Sequence, residues 1–317
     1  MLALPALEAS GAATVVARPF LLPLVELAGF RGTMVPVDRG AAGILAAANR
    51  LRAGRYDRGI LLTPSLSSAV VFALGGVAAR RGTATDGRRL LLTDAIDAPL
   101  PTAQHRASLY HALVTGEAPV APPVPHLAID AALRGRWCAL AGPHAEGAIG
   151  LFPGSNASSR RWASERFAEV ARRLAEGGHR VIVFGGPGEE ARSRRVAGDV
   201  ALDLGGRTDL PTLAAGLASC RLVVTNDSGP MHLAAATGTT VVAIWGAGEP
   251  RETGPLGVGH RIVRHESLPC IACRHNVCPR HGRGTYLPDA DRECLALVTV
   301  DEVLAAVESG LRDHGGR

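Results

Sequence analysis

The stretch from Leu222 to Trp245 restricts the fold more than any other part of the chain. An aliphatic run (Leu222, Val223, Val224) leads into a polar turn, Asn226-Asp227-Ser228-Gly229-Pro230. A small-residue helix begins near Met231, and a second strand follows over 240–245. Strand, helix and strand with short connections form a βαβ unit, whose two strands pair in parallel through a right-handed crossover. The same alternation precedes it: strand 147–152, helix 163–176 with Phe167, Val170, Ala171 and Leu174 on one face, strand 180–184, helix 189–196, strand 201–204 and helix 210–218. Periods that switch in this way predict an α/β domain on a parallel sheet. Ligands of such sheets bind beyond the carboxyl ends of the strands.

The first half alternates less regularly. Short strands are predicted over 14–17, 59–63 and 89–92, with helical stretches over 21–28, 41–52 and 104–114. Residues 59–79 carry no charge and are long enough to suggest a membrane span. Pro64 with Ser65, Ser67 and Ser68 divides them instead into a buried strand, a turn and a helix. A Pro-rich segment over 118–127 closes this half. The predicted organisation is an N-terminal domain over 1–140, a second domain over 147–298 and a C-terminal helix within 299–317, capped by Thr299 or Asp301.

The 317 residues allow one large domain or two ordinary ones, and the 4% aromatic content requires an aliphatic core. All basic residues are arginine, and the net charge of +5 suits a phosphorylated ligand or an anionic membrane surface. No aromatic-interleaved basic stripe supports nucleic-acid binding. The first residues lack the basic start and cleavage site of a secretory signal, so the predicted location is the cytoplasm, with peripheral contact at the inner membrane left open.

Four strand-end turns are rich in ligand-type residues. Asn226 to Gly229 opens a helix, where unpaired N–H groups and the positive dipole end receive anions; His232 lies one turn further in. Pro153-Gly154-Ser155-Asn156 leads to Arg160, Arg161 and Trp162, and a cation after a Gly-Ser turn suits a diphosphate. Gly185-Gly186-Pro187-Gly188 leads to Glu189, a carboxylate able to accept from a ribose diol, although the spacing is not the dinucleotide GxGxxG. Trp245-Gly246-Ala247-Gly248-Glu249-Pro250 is the fourth. Taken singly, each is a weak signal and reads better as an ordinary Gly-Pro turn, His232 as a satisfied helix histidine and Arg160/Arg161 as a solvated pair.

Together, PGS(x)4RRW-(x)4-F, FGGPGEE and above all TNDSGPMHLAAATGTTVVAIWGAGEPRETGP resemble glycosyltransferase family 9, the heptosyltransferases of lipopolysaccharide core assembly. The resemblance implies a GT-B architecture, two Rossmann-like domains facing across a cleft, with nucleotide sugar on the second domain and acceptor on the first. It implies inverting transfer of a heptose or related sugar from a nucleotide-diphosphate donor, such as ADP-heptose, to a glycan or small-molecule hydroxyl. It also implies that catalysis requires no cofactor. Asn226, Asp227, Ser228, Gly229 and His232 correspond to the donor segment, Arg160 to a diphosphate-neutralising cation where the family usually has Lys, Glu189 to the ribose ligand, and Ser155 and Asn156 to the phosphate side.

Two features stand outside that pattern. Family members carry a strand and a Gly-Asp, whose aspartate is the general base, just ahead of a segment like Met1–Leu7. That strand and base are expected to be absent from this sequence. A start assigned too far downstream explains this best, because losing a central strand would strand its neighbours' backbone groups; loss of catalysis, leaving a nucleotide-sugar-binding protein, is the alternative. A further GT-B chemistry, such as epimerisation, would need extra acids in the cleft. Secondly, Cys270, Cys273, Cys278 and Cys294 form C-x2-C-x4-C-x15-C within a Cys-rich insert over 270–294, with His275 and His281 interspersed. The spacing is compatible with a structural zinc, with a disulfide pair and with free thiols; similar inserts occur in relatives.

Overall fold

Every strand pairing in the computed structural model, which describes residues 1–11, 13–97, 104–144, 146–279 and 292–314, is parallel. The chain divides into two compact units, Leu2–Pro125 and His126–Arg317, the second taking Met1 as well.

The first unit opens on a helix, α1 (Leu4–Glu8), followed by β1 (Val15–Ala17), α2 (Leu22–Leu27), β2 (Met34–Pro36), α3 (Gly40–Gly54), β3 (Arg58–Leu61), α4 (Leu66–Leu74), β4 (Ala79–Thr83), β5 (Asp94–Ile96) and α5 (Arg106–Thr115). Its strands form a two-stranded sheet, β1–β2, and a three-stranded sheet, β3–β4–β5. The uncharged 59–79 run is a strand, a turn and a helix; Ser65 caps α4 by accepting from the Ser68 N–H. The strand predicted over 89–92 is instead a 3-10 turn, Arg88–Leu91. Arg88 is fully buried, and its guanidinium donates to the Thr83 carbonyl (2.9 Å) and the Ser68 hydroxyl (3.1 Å), which draws the segment into a turn.

The second unit contains α6 (Ala131–Ala141), β6 (Ile149–Phe152), α7 (Ser164–Glu176), β7 (Val181–Gly185), α8 (Glu190–Ala197), β8 (Leu202–Gly205), α9 (Leu210–Ser219), β9 (Leu222–Asn226), α10 (Gly229–Ala236), β10 (Thr240–Ile244), α11 (Pro250–Thr253), β11 (Arg261–Val263), α12 (Glu293–Ala296) and α13 (Val300–His314). Its sheet runs β11-β10-β9-β6-β7-β8. Strands β6, β7, β9 and β10 are buried on both faces, which is why they read as unbroken apolar runs. Helix α7 lays Phe167, Val170, Ala171 and Leu174 on the sheet as its spacing predicted, and Trp162 meets Phe167 edge to face at 5.1 Å.

The domain boundary near 140 needs correction to 125/126. Helix α6 belongs to the second unit: Trp137 is buried with its ring 5.8 Å from Phe184, and Arg136 pairs with Asp209 at 2.7 Å. The Pro-rich segment is thus the crossing itself. The C-terminal helix is part of the same unit, because Val303, Leu304 and Val307 enter the sheet's core.

Candidate functional site

The chain runs β6, β7, β8 to one side of the sheet and then returns to place β9 against β6, so strand order reverses between β6 and β9. At such a switch point the turns after the two strands diverge and leave a crevice for ligand. Those are the turns at 153–156 and 226–230.

Asn226 closes the seam between them. Its amide nitrogen donates to the Pro153 carbonyl (2.8 Å), and its oxygen accepts from the Trp162 backbone N–H (3.0 Å). Asn226, expected to contact a donor, is therefore a buried scaffold residue with both ends of its amide committed. Arg161 is also a fixture, donating from Nε to the Ser155 carbonyl at 2.6 Å. Ser155 is buried and its hydroxyl leans on the Asp227 carbonyl at 3.4 Å, whereas Asn156 is exposed at the rim.

Asp227 is 3% exposed, and its Oδ2 lies 3.1 Å from Arg160 Nη1. The contact is ionic without hydrogen-bond alignment: Oδ2 and Arg160 Nε are both buried with no hydrogen-bond partner among the described residues. Burial pushes the Asp227 carboxyl up to about 6, against the opposing pull of Arg160. The turn after β10 covers this pair. A Cβ on Gly248 would stand 2.2 Å from Asp227 Oδ2 and 2.8 Å from Trp245 Nε1, so only glycine fits there. Trp245 is fully buried, and its Nε1 likewise has no partner among the described residues. Three buried polar atoms with unused hydrogen-bonding capacity converge on one region, and buried groups of that kind call for a ligand.

Helix α10 opens beside them. Ser228 occupies its N-cap position without a side-chain cap hydrogen bond, and its hydroxyl sits 3.2 Å from the Thr225 hydroxyl. The first-turn N–H groups are thus left for another acceptor. Beside Gly229 a Cβ would meet nothing within 4 Å, and His232 is half-buried on the same turn. Glu189 reaches the site from the β7 turn: its Oε2 accepts from the Gly186 N–H at 2.9 Å, and its Oε1 would be 2.1 Å from a Cβ on Gly154. Ser155, Arg160, Asp227, Ser228 and Gly229 thus gather at one crevice, with Glu189 against its edge. Trp245 and Gly248 were missed as individual residues; their signal was the pair of glycines directly after a β-branched strand.

Cys270, Cys273, Cys278 and Cys294 line a common pocket with Gly246, Ala247, Ser159 and Arg292. All six cysteines are thiols rather than disulfides. Burial pushes the Cys294 thiol up to about 11, and Cys273, Cys278 and Cys270 each add to the rise. Among the described residues no three His, Cys, Asp or Glu side chains are gathered tightly enough to hold a metal ion. His281, like the rest of 280–291, lies outside the described residues.

A doubly wound parallel sheet with an uncapped helix start, an arginine and a buried aspartate at its switch point defines an α/β protein built to receive an anionic ligand. The sequence profile of glycosyltransferase family 9 (heptosyltransferase) matches residues 44–282. The chain is 30% identical over 250 residues to lipopolysaccharide heptosyltransferase 2 of Escherichia coli, covering 73% of this chain and 72% of that protein. It is 29% identical over 272 residues to lipooligosaccharide heptosyltransferase 2 of Haemophilus influenzae, covering 78% and 77%. It belongs to glycosyltransferase family 9, and is therefore a glycosyltransferase. Its fold is that of the GT-B heptosyltransferases. The structure of E. coli ADP-heptose lps heptosyltransferase II superposes with a TM-score of 0.81 over 99% of this chain and 94% of that one, at 23% identity. A glycosyl transferase family 9 protein from Veillonella parvula gives 0.80 over 98% and 92%, at 22% identity. No helix among the described residues is long and apolar enough to cross a membrane.

Proposed function

We propose that this chain transfers a heptose or related sugar, with inversion, from a nucleotide-diphosphate donor such as ADP-heptose to a hydroxyl of a glycan. The observation that carries the reading is the Arg160–Asp227 contact at the uncapped start of α10. E. coli heptosyltransferase WaaC, whose fold is related at a TM-score of 0.69, has been solved with ADP, and at 0.67 with ADP-2-deoxy-2-fluoro heptose; both support a nucleotide-diphosphate sugar as the class of donor.

In this reading the first-turn N–H groups of α10 and the Ser228 hydroxyl receive the diphosphate, and Arg160 neutralises the charge that grows on it as the sugar C1–O bond breaks. The acceptor oxygen attacks C1 from the opposite face, and the nucleoside diphosphate leaves. Asp227, an anion beside an anion, serves best as an acceptor for sugar hydroxyls. Glu189 takes the ribose diol. The arginine and the helix start supply the positive charge, so the transfer itself needs no metal. A lipid-borne acceptor and the net charge of +5 favour peripheral contact with an anionic membrane.

A thermal-shift screen over ADP-, GDP-, UDP- and dTDP-linked ligands tests the donor half. A nucleotide at about 100 times its Kd should add roughly 2.7 kcal/mol of stability. Release of free nucleotide that depends on added glycan acceptor tests the transfer half. Stabilisation by none of the four sinks the donor reading; stabilisation without acceptor-dependent release leaves a binding protein in its place.

A further inference from the structure

The cysteine segment is a strap laid across two of the turns that build the crevice. The Arg274 N–H donates to the Ala247 carbonyl (2.7 Å), the Ser159 N–H donates to the Asn276 carbonyl (3.2 Å), and the Ser159 hydroxyl donates to the His275 carbonyl. The Arg274 guanidinium also pairs with Glu252 at 2.8 Å. From the other side, Cys294 presses on the same place: a Cβ on Gly246 would be 2.9 Å from its Sγ. Ala272 and Arg274 both hold positive φ, 59° and 62°, a conformation costly for residues with a Cβ. Something must hold the strap in that shape.

The pocket between strap and turn also contains an unexplained charge. Arg292 is 3% exposed, and its Nε and Nη1 are buried with no hydrogen-bond partner among the described residues. A buried guanidinium is strongly disfavoured unless an anion faces it. Four neutral thiols provide none. Four thiolates around a divalent ion carry a net charge of −2, an anion for Arg292 Nε and Nη1, which have no hydrogen-bond partner among the described residues.

We propose that Cys270, Cys273, Cys278 and Cys294 bind one thiolate-coordinated metal ion, zinc or iron, and that this ion clamps the strap onto the turns at 158–160 and 246–247. On binding, each thiol loses its proton to solvent and forms one sulfur–metal bond, with no change in oxidation state. A tetrahedral site sets the sulfurs about 2.3 Å from the ion, so the four side chains must turn inward from their present positions around the shared pocket. Arg292 then offsets one of the cluster's two negative charges from outside. The role is structural. Its link to sugar transfer, through Arg160 and the turn over Asp227, rests on the donor reading given above; the metal site itself does not.

Elemental analysis of the full chain, purified without chelator, should find about one zinc or iron per chain, iron being marked by its colour. Cobalt added to stripped protein should give thiolate charge-transfer absorption. Cys278→Ser and Cys294→Ser should lose the metal, and Cys138→Ser, an exposed position on α6, should keep it. Arg292→Gln should weaken metal affinity by about 10–100-fold. Less than ~0.2 metal per chain together with no cobalt absorption overturns the site. Should the cysteine variants fail to fold, stripping the wild type keeps the clamp testable by hydrogen exchange. Faster exchange at 158–160 and 246–248 after stripping supports it, and unchanged exchange overturns it, whether or not any sugar is transferred.

Discussion

Replacing Asp227 with Asn asks whether the crevice holds its charge at the expense of the fold. The Asp227 carboxyl is raised from its ordinary 3.8 to about 6 by burial, despite Arg160 at 3.1 Å. The folded state therefore holds the proton about 2 pH units longer than the unfolded chain does. At 1.36 kcal/mol per unit, the ionised carboxylate costs about 3 kcal/mol of stability at neutral pH. The sign follows from proton counts: between about 6 and 3.8 the native state binds more protons, so stability rises as pH falls through that window. Below it the cost is gone. Asn removes the cost but takes the counter-charge from Arg160, which is 26% exposed and can hydrate, for an offset of about 1 kcal/mol. The variant should be more stable than wild type by about 1–3 kcal/mol near pH 8, and equal to it or slightly less stable near pH 4.

Urea unfolding followed by tryptophan fluorescence measures this, because all three tryptophans, Trp137, Trp162 and Trp245, lie in the second unit. Sugar transfer should fall in the same variant, since it removes an acceptor from the crevice. A variant that is less stable near pH 8, or a difference that does not change with pH, would refute the argument: the Asp227–Arg160 pair would then be a net contributor to the fold.

Three further substitutions probe the same architecture. Arg160→Ala should weaken nucleotide-diphosphate binding by about 10–100-fold, the effect of losing one charge-assisted contact, as read by isothermal titration; it should also move the Asp227 titration above about 6, because Arg160 is what holds it down. Gly248→Ala places a Cβ 2.2 Å from Asp227 Oδ2, so the carboxylate or the turn must shift, and titration should find nucleotide binding at least about ten-fold weaker. Trp137→Ala should destabilise the second unit by about 3–5 kcal/mol, monitored through the two remaining tryptophans; an unmoved transition would return helix α6 to the first unit.

Legibility in the sequence followed burial. Strands such as Val181–Gly185 and Leu222–Asn226 are covered on both faces and read as unbroken apolar runs, and helix α7 shows its period because one face meets the sheet and the other meets water. The first unit's strands are shorter and half-covered. Met34–Pro36 contains a proline, and the apolar residues at 90–92 belong to a turn shaped by Arg88, which no local pattern announces. In the crevice, the turn chemistry at 227–229 was readable because an anion site needs few residues and a helix start. The role of Asn226 was not: an amide in a turn serves ligand or scaffold equally well, and only the register of β6 against β9 decides it. Trp245 and Gly248 were hidden for the same reason, since they matter only because β10 lies beside β9.

That arrangement has a consequence for binding. A diphosphate at the start of α10 brings negative charge close to Asp227, and Arg160 cannot face both anions as well as it faces one. A nearby like charge raises a carboxyl pKa, so nucleotide binding should lift Asp227 above its resting value of about 6 and draw in a proton near neutral pH. The measurement is isothermal titration in buffers of different ionisation enthalpy, where proton uptake appears as buffer-dependent heat. His232 is a second titratable side chain on the same helix turn, so His232→Asn and Asp227→Asn are compared. Uptake should persist in the first variant and vanish in the second. Buffer-independent heat in the wild type would mean that Arg160 stays with Asp227 when the nucleotide is bound, and that the helix start holds the diphosphate without it.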